Sequence, residues 1–278
     1  MTARNVYATL AEYKSYVTSR GQTSTTDATD DTVIDSLLES ASRYLDDETA
    51  RQFYPVVQTR YYNVPTDREL LVDDDLLEII TLTNGDSTTM PTTEYFLVPR
   101  NYFPAYGVKI TDISSYTWIS NSAGSFENAI SIYAIWAYRN RYTSEGWKVG
   151  TTTTEALDTS EVEFDVTAST LFSAGQIVRF DNELGIIAST ASGKITVVSR
   201  GDNGSTAATH NSGITVYIWQ PEQGAKMATL EIASNAYHRR FGRSVTNSET
   251  ITAAGVVLSP RDVPTSAVNF ILAHRDTV

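Results

Sequence analysis

The sequence predicts an α+β protein in which a small helical bundle carries two β-rich insertions. Amphipathic helical periodicity occurs near both ends of the 278-residue chain, and short β-branched and aromatic runs fill its middle. A Gly/Thr-rich stretch, GWKVGTTTTEALDTS, divides these runs into two blocks and reads as a linker. We therefore expect a helical base, a β-rich block, a small barrel or sandwich, and an extended C-terminal arm.

Two helices are predicted near the N-terminus. The first covers residues 7–17, where Thr9 forms a capping-box pattern with Glu12. The second lies in Asp30–Pro55, where apolar residues mostly recur at three- and four-residue spacing and so form one stripe. Its expected N-cap is Asp30 or Asp31, because a short carboxylate accepts hydrogen bonds from the first turn.

Short strands are predicted through the middle of the chain. The first block holds the runs VVQTRYYNV, LLEIITL, YFLVP, VKI and ISIYAIWAY, with a hairpin turn at Asn84-Gly85-Asp86. The second block holds VEFDV, QIVRF, LGIIAS, KITVVS and ITVYIW. Strands of this length and spacing favour a self-contained second module.

The chain returns to helix over Pro221–Phe241, and Pro260 and Pro264 indicate an extended final arm. Helices so far apart in sequence are expected to pack together as one base. The predicted divisions are 1–60 for the first part of the helical base, 61–145 for the β-rich block, 146–220 for the inserted β module, 221–245 for the late helix, and 246–278 for the arm.

Composition excludes several classes of function. The net charge of −12 repels nucleic-acid phosphates, which argues against a dedicated DNA-binding role. Cysteine is absent, so disulfides, cysteine nucleophiles and thiolate metal sites are excluded. The N-terminal sequence lacks the organisation of a signal peptide, and no apolar run approaches the ~20 residues of a membrane span.

Acidic residues supply the main candidates for chemistry. Glu161, Glu163 and Asp165 alternate along one predicted strand, so their carboxylates share a face. Paired carboxylates serve glycoside hydrolysis, but a solvated strand side fits the alternation better. Asp73–Asp75 lack the spacing of a calcium loop and fit a charged turn. The histidines have no ligand-like spacing, so no catalytic, cofactor or metal site is predicted.

Two short motifs remain. Arg200-Gly201-Asp202 has the form of an adhesion tripeptide, but a Gly-rich turn explains the match and no secretion signal accompanies it. The cluster HRRFGR, which begins at His238, either stabilises the end of its helix or contacts an acidic partner.

Several segments, in order, resemble head–tail connector (adaptor) proteins of tailed bacteriophages. DDTVIDSLLESASRYLDDETARQFYP is similar to their second helix, and GAKMATLEIASNAYHRRFG is similar to their last helix. DDDLLEIITLTNGD and NAISIYAIWAY resemble the middle of longer adaptors, and LSPRDVPTSAVNFILAHRDTV resembles their C-terminal segment. RGDNGSTAATHNSGITVYIW resembles a small β module of many phage virion proteins.

The resemblance implies a non-enzymatic structural protein of the virion neck, assembled in the host cytoplasm. It forms a homo-oligomeric ring, commonly dodecameric, between the capsid portal and the stopper or tail. The ring seals the viral DNA channel, receives the tail, and lets DNA pass without sequence-specific binding; neither a cofactor nor a membrane is implied. An alternative is a receptor- or carbohydrate-binding virion protein acting through the 150–220 module, and a hydrolase is a third.

The resemblance also implies two groups of contact residues. The portal-binding residues of the arm are Leu258, Arg261, Asp262, Val263, Val268, Phe270, Leu272 and Arg275. The residues expected at the subunit interface of the ring are Arg43, Asp47, Arg51, Arg239 and Arg240. Simple packing of the arm against its own subunit is the alternative for the first group.

Overall fold

The computed structural model describes residues 4–20, 30–139, 146–241 and 263–276, without the side chains of Arg240 and Phe241. Two compact units make up the chain. The first unit comprises Met1–Tyr54, Lys148–Asp202 and Thr206–Val278, and the second comprises Pro55–Trp147 with Asn203–Ser205. Helices and antiparallel sheets both occur, which confirms the predicted α+β class.

Helix α1 spans Leu10–Ser19 and begins with the predicted capping box. The Glu12 N–H donates to the Thr9 hydroxyl at 3.2 Å, and the Thr9 N–H donates to the Glu12 carboxylate at 2.8 Å. Two backbone donors that the helix leaves free are thus satisfied.

Helix α2 spans Asp31–Thr49, buries the predicted apolar stripe and has Asp30 at its N-cap, which is one of the two predicted residues. Asp30 makes no side-chain hydrogen bond to the helix start. Its carboxylate instead accepts the Tyr237 hydroxyl at 2.8 Å, so a contact with a distant helix takes precedence over the local cap. The helix ends at Ala50, which has a left-handed backbone with φ of 54°.

Helix α3 spans Gln223–Phe241, within the late helix predicted from Pro221. A fourth helix, α4, spans Thr265–His274, so the prediction of a wholly extended arm is wrong. Neither glycine nor proline follows Pro264, and apolar residues recur at helical spacing after it. Pro264 therefore precedes a helix rather than continuing an arm.

The second unit contains a five-stranded antiparallel sheet with the order β1-β5-β2-β4-β3. Its strands are β1 (Val56–Tyr62), β2 (Glu69–Thr83), β3 (Tyr95–Val98), β4 (Ala105–Ile110) and β5 (Ile130–Trp136). Each overlaps one of the runs predicted for the first block.

The predicted turn at Asn84-Gly85-Asp86 is confirmed, because the Asn84 carbonyl accepts the Ser87 N–H at 2.9 Å. A Cβ added to Gly85 would lie 2.1 Å from the Ile119 carbonyl oxygen, so this close approach requires glycine.

A six-stranded antiparallel sheet has the order β6-β11-β8-β9-β10-β7. Its strands are β6 (Trp147–Thr152), β7 (Glu163–Asp165), β8 (Ile177–Phe180), β9 (Glu183–Ala191), β10 (Lys194–Val197) and β11 (Thr215–Trp219). Among the described residues the edge strands meet only at an isolated bridge between Thr153 and Val166, so the sheet is not a closed barrel.

Strand β6 lies in the stretch predicted to be a linker, and that prediction is wrong. Glycine suggested a flexible segment, but Thr151 and Thr153 are buried while the threonines beside them are exposed. β-branched residues in this alternation fit a half-buried strand.

The helices and the six-stranded sheet lie in the same first unit, whereas the sequence predicts a self-contained module over 146–220. The Trp219 indole N–H donates to the Phe53 carbonyl at 3.0 Å, which joins β11 to the segment after α2. Lys226 of α3 forms an ion pair with Glu12 of α1 at 2.7 Å. Across the described residues, no helix combines the length and hydrophobicity needed to cross a membrane.

Candidate functional site

Helix α4 carries most of the described residues that were predicted to bind a partner, and its inner face packs on the helical base. Ala267 and Ile271 are 1% and 4% exposed. The Phe270 ring lies 5.6 Å from the Phe53 ring, centroid to centroid. A Cβ on Gly224 of α3 would lie 2.5 Å from Phe270, so glycine there allows the close approach of the two helices.

Polar contacts secure the C-terminal end of α4. The Arg51 Nε–H donates to the His274 carbonyl at 2.9 Å, and the same guanidinium lies 3.5 Å from the Asp276 carboxylate. Arg275 pairs with Glu48 of α2 at 3.0 Å. The helix is therefore anchored to α2 by apolar contacts and by charged ones.

The outer face of α4 presents apolar side chains to solvent. Val268 is 39% exposed and Leu272 is 63% exposed. Residues four apart lie one above the other on a helix, so these two side chains form a short apolar stripe. We call this pair the α4 stripe.

The predicted portal-binding residues therefore separate into groups. Val268 and Leu272 are exposed, Phe270 and Val263 are half-buried, and Arg275 is engaged with Glu48. Three lie outside the described residues: Leu258, Arg261 and Asp262. The alternative that the arm packs on its own subunit thus holds for the inner face of α4.

The residues predicted for the subunit interface differ in their surroundings. Asp47 and Arg239 are exposed, Arg51 is held by α4, and the Arg240 side chain is not described. Arg43 lies over the Tyr54 ring at 4.6 Å and donates to the Asn5 carbonyl at 2.9 Å. Arg43 and Arg51 thus make contacts within the chain.

A buried cluster around Asp46 was missed by sequence reasoning. The Tyr7 hydroxyl donates to the Asp46 carboxylate and accepts the Phe53 N–H at 3.0 Å. Arg43 lies 2.9 Å from the same carboxylate. Burial raises the pKa of Asp46 to about 6, although Arg43 and the Tyr7 hydrogen bond act against that rise. No local pattern links a tyrosine to an aspartate 39 residues away.

The Arg-Gly-Asp tripeptide is not available to a receptor. The side chains of Arg200 and Asp202 are 3% and 5% exposed. Asp202 accepts hydrogen bonds from the Ser199 hydroxyl at 2.6 Å and from the Ile186 N–H at 3.1 Å. The tripeptide thus belongs to the interior of the first unit.

Several of the acidic candidates pair with basic side chains. Lys194 of β10 lies 3.1 Å from Glu163 and 3.3 Å from Asp165, which suits a charged strand surface. In the second unit Arg60 pairs with Asp74 at 2.7 Å. Within the described ranges, no group of three or more histidine, aspartate or glutamate side chains suits a metal ion.

Comparisons with models of known protein families, with curated proteins and with solved structures found no match to this chain. The α4 stripe combines exposed apolar side chains with a firmly anchored helix. Such an arrangement can bind a protein partner without reorganisation of its own backbone.

Proposed function

We propose that the protein is a structural, non-enzymatic adaptor that forms a ring between a phage capsid portal and its tail or stopper. On this proposal it belongs to the virion neck, encloses the exit channel for DNA, and provides the platform on which the tail docks. The order of the sequence segments that resemble connector proteins is the basis of the proposal.

One structural observation supports it most directly. Helices predicted from the two ends of the chain pack in one compact unit, as a split helical base requires. Tyr237 of α3 reaches Asp30 before α2, and Phe270 of α4 reaches Phe53 after α2. These contacts join segments that are more than 200 residues apart.

The α4 stripe is the proposed portal contact. Val268 and Leu272 are large enough to fill a small apolar pocket, and their burial against a partner would remove exposed apolar area from water. Phe270 supports the stripe from behind by holding α4 in place.

The net charge of the chain is compatible with a channel for DNA. Each chain carries a net charge of −12, so a ring of these chains surrounds the DNA with negative charge. Like charge allows DNA to pass while opposing adhesion to the wall.

The alternative, glycan or receptor binding through 150–220, gains no support from the side chains there. The aromatic residues of that stretch, which would stack on sugars, are buried or half-buried: Phe164, Phe172, Phe180, Tyr217 and Trp219.

A binding experiment with a matched control tests the proposal. DNA-filled, tailless capsids are mixed with the wild-type protein or with the Val268→Asp/Leu272→Asp variant and sedimented. We expect the wild type to sediment with the capsids. The variant should stay in the supernatant with its fold intact. Val162→Asp is the control, because Val162 is as exposed as Val268 at 39% but lies just before β7, away from α4 in sequence.

Retention of the double variant on capsids would overturn the α4 contact, and failure of the wild type to bind would overturn the adaptor function. Removal of the whole arm is a poorer test, because loss of α4 would also uncover Phe53 and destabilise the base.

A further inference from the structure

His210 lies in the interior of the first unit with its side chain 2% exposed. Its Nδ1 atom lies 2.8 Å from an Asp181 carboxylate oxygen, and its Nε2 atom lies 3.0 Å from a Glu183 carboxylate oxygen. Both ring nitrogens therefore face acceptors.

Glu183 is a carboxylate in this site. Its oxygens accept hydrogen bonds from Arg200 Nε at 2.6 Å, from Arg200 Nη2 at 2.9 Å, from the Gly201 N–H at 2.9 Å and from the Ala208 N–H at 2.8 Å. Burial raises the pKa of Glu183, but the hydrogen bonds from Arg200 and His210 outweigh it and lower that pKa below its ordinary value. With donors on every side, the group has no acceptor for a proton of its own.

We propose that His210 is held as an imidazolium and acts as a proton-dependent lock on the six-stranded sheet. A neutral imidazole has one donor and one acceptor nitrogen, so one of them would direct a lone pair at a carboxylate. With two protons, both nitrogens donate. The charges then balance, because Arg200 and His210 offset Asp181 and Glu183.

The lock joins segments that are distant in sequence. The backbone of His210 pairs with Leu157 in both directions, at 3.0 and 2.9 Å. Its ring bridges Asp181 in the β8–β9 turn and Glu183 at the start of β9, and the Phe180 ring packs edge-on at 5.2 Å. Loss of the second ring proton would remove one of these bridges and loosen the others.

The charged groups around the ring come from several elements. Asp181 and Glu183 face its nitrogens, and Arg200 shares the Glu183 carboxylate with it. Arg179 of β8 donates to the Asp181 carbonyl at 2.6 Å and so positions the turn rather than the ring. The proposal concerns the interior of this sheet and is independent of the adaptor function.

Nitrogen NMR of the full-length protein tests the protonation state. With ¹⁵N-labelled histidine, the His210 signals are assigned by their loss in His210→Gln. We expect both ring nitrogens to give protonated shifts at pH 7.5. An unprotonated shift for either nitrogen in the folded protein would overturn the proposal.

A second variant separates the lock from simple packing. Asp181 is 62% exposed, so Asp181→Asn leaves the interior filled, while the amide can turn its NH₂ group toward a neutral ring. At pH 7.5 we expect one His210 ring nitrogen to give an unprotonated shift in this variant, because the amide introduced at position 181 can donate to it. Identical His210 ring shifts in the two proteins would contradict the lock.

Amide exchange gives the conformational readout. After correction for intrinsic rates, the Gly201 and Ala208 N–H groups should exchange at least tenfold faster at pH 9 than at pH 6.5 in the wild type. In Asp181→Asn the same groups should exchange faster than in the wild type at pH 6.5. Protection that is independent of pH in both proteins would contradict the claim that the second ring proton of His210 stabilises these hydrogen bonds.

Discussion

The helical base and the six-stranded sheet lie in one compact unit but are stabilised in different ways. Apolar side chains dominate the base, where Leu37, Leu38 and Phe53 are fully buried. The sheet also has an apolar core, but one side of it is organised by the buried ion pair of Glu183 and Arg200 and by the His210 ring that contacts Glu183. The base should therefore respond to changes of volume, and the sheet to changes of charge.

The difference follows from the directionality of the two interactions. Apolar burial depends on area and tolerates small changes of shape, whereas a buried ion needs each donor in position. A defect in the base thus costs part of its packing energy. A defect in the charged cluster leaves a partner uncompensated.

The largest expected effect is in the sheet. Arg200→Ala removes the partner of a Glu183 side chain that is 1% exposed, and breaking such a pair costs about 3–5 kcal/mol of unfolding free energy. Urea unfolding followed by fluorescence measures the loss. Arg179→Ala is the control, with a change below about 1 kcal/mol because its contacts are exposed.

A change of volume in the base should cost less. Ile271→Ala removes a buried side chain of α4 and should destabilise by about 2–3 kcal/mol, at the lower end for such a cavity in a peripheral helix. Leu272→Ala, next along the helix and 63% exposed, should cost less than about 0.5 kcal/mol. Equal losses in the two variants would contradict the assignment of inner and outer faces.

A charge in the base provides the third test. The pKa of Asp46 is raised from 3.8 to about 6, so its favourable contribution is fully present below pH 3.8 and is lost as the pH rises through about 6. From pH 4 to pH 8 the wild type should lose about 2 kcal/mol relative to Asp46→Asn. Parallel stability profiles of the two proteins would contradict the burial of this carboxylate.

The smallest effect should come from a surface pair. Arg275 and Glu48 are half exposed, so Arg275→Ala should cost only about 0.2–1 kcal/mol, and less at high salt. Thermal unfolding at low and high salt measures the difference. A loss above about 2 kcal/mol would mean that this pair, rather than the apolar inner face, anchors α4.

The two regions also differ in how far the sequence predicts them. The α2 stripe and the Thr9–Glu12 capping box are local patterns, and both are confirmed. Helix α4 is not predicted, because Pro260 and Pro264 indicate an extended arm. In the structure Pro264 only precedes the first turn of this helix. The partners of Glu183 lie 17 to 27 residues away in sequence, and no periodicity connects them.

The candidate site was predicted in part. The resemblance selected Val268 and Leu272, which are exposed, together with Phe270, which packs on Phe53. A sequence pattern identifies an apolar face, but the side that a helix buries depends on the helices beside it. That choice is made by tertiary contacts such as the approach of Phe270 to Gly224.

Imaging of the portal vertex tests the central claim most directly. DNA-filled, tailless capsids incubated with the protein are compared with untreated capsids by cryo-electron microscopy. The account predicts an added symmetric ring beneath the portal, with the α4 stripe of each subunit against it. A vertex that is unchanged after incubation with folded protein would contradict the adaptor function.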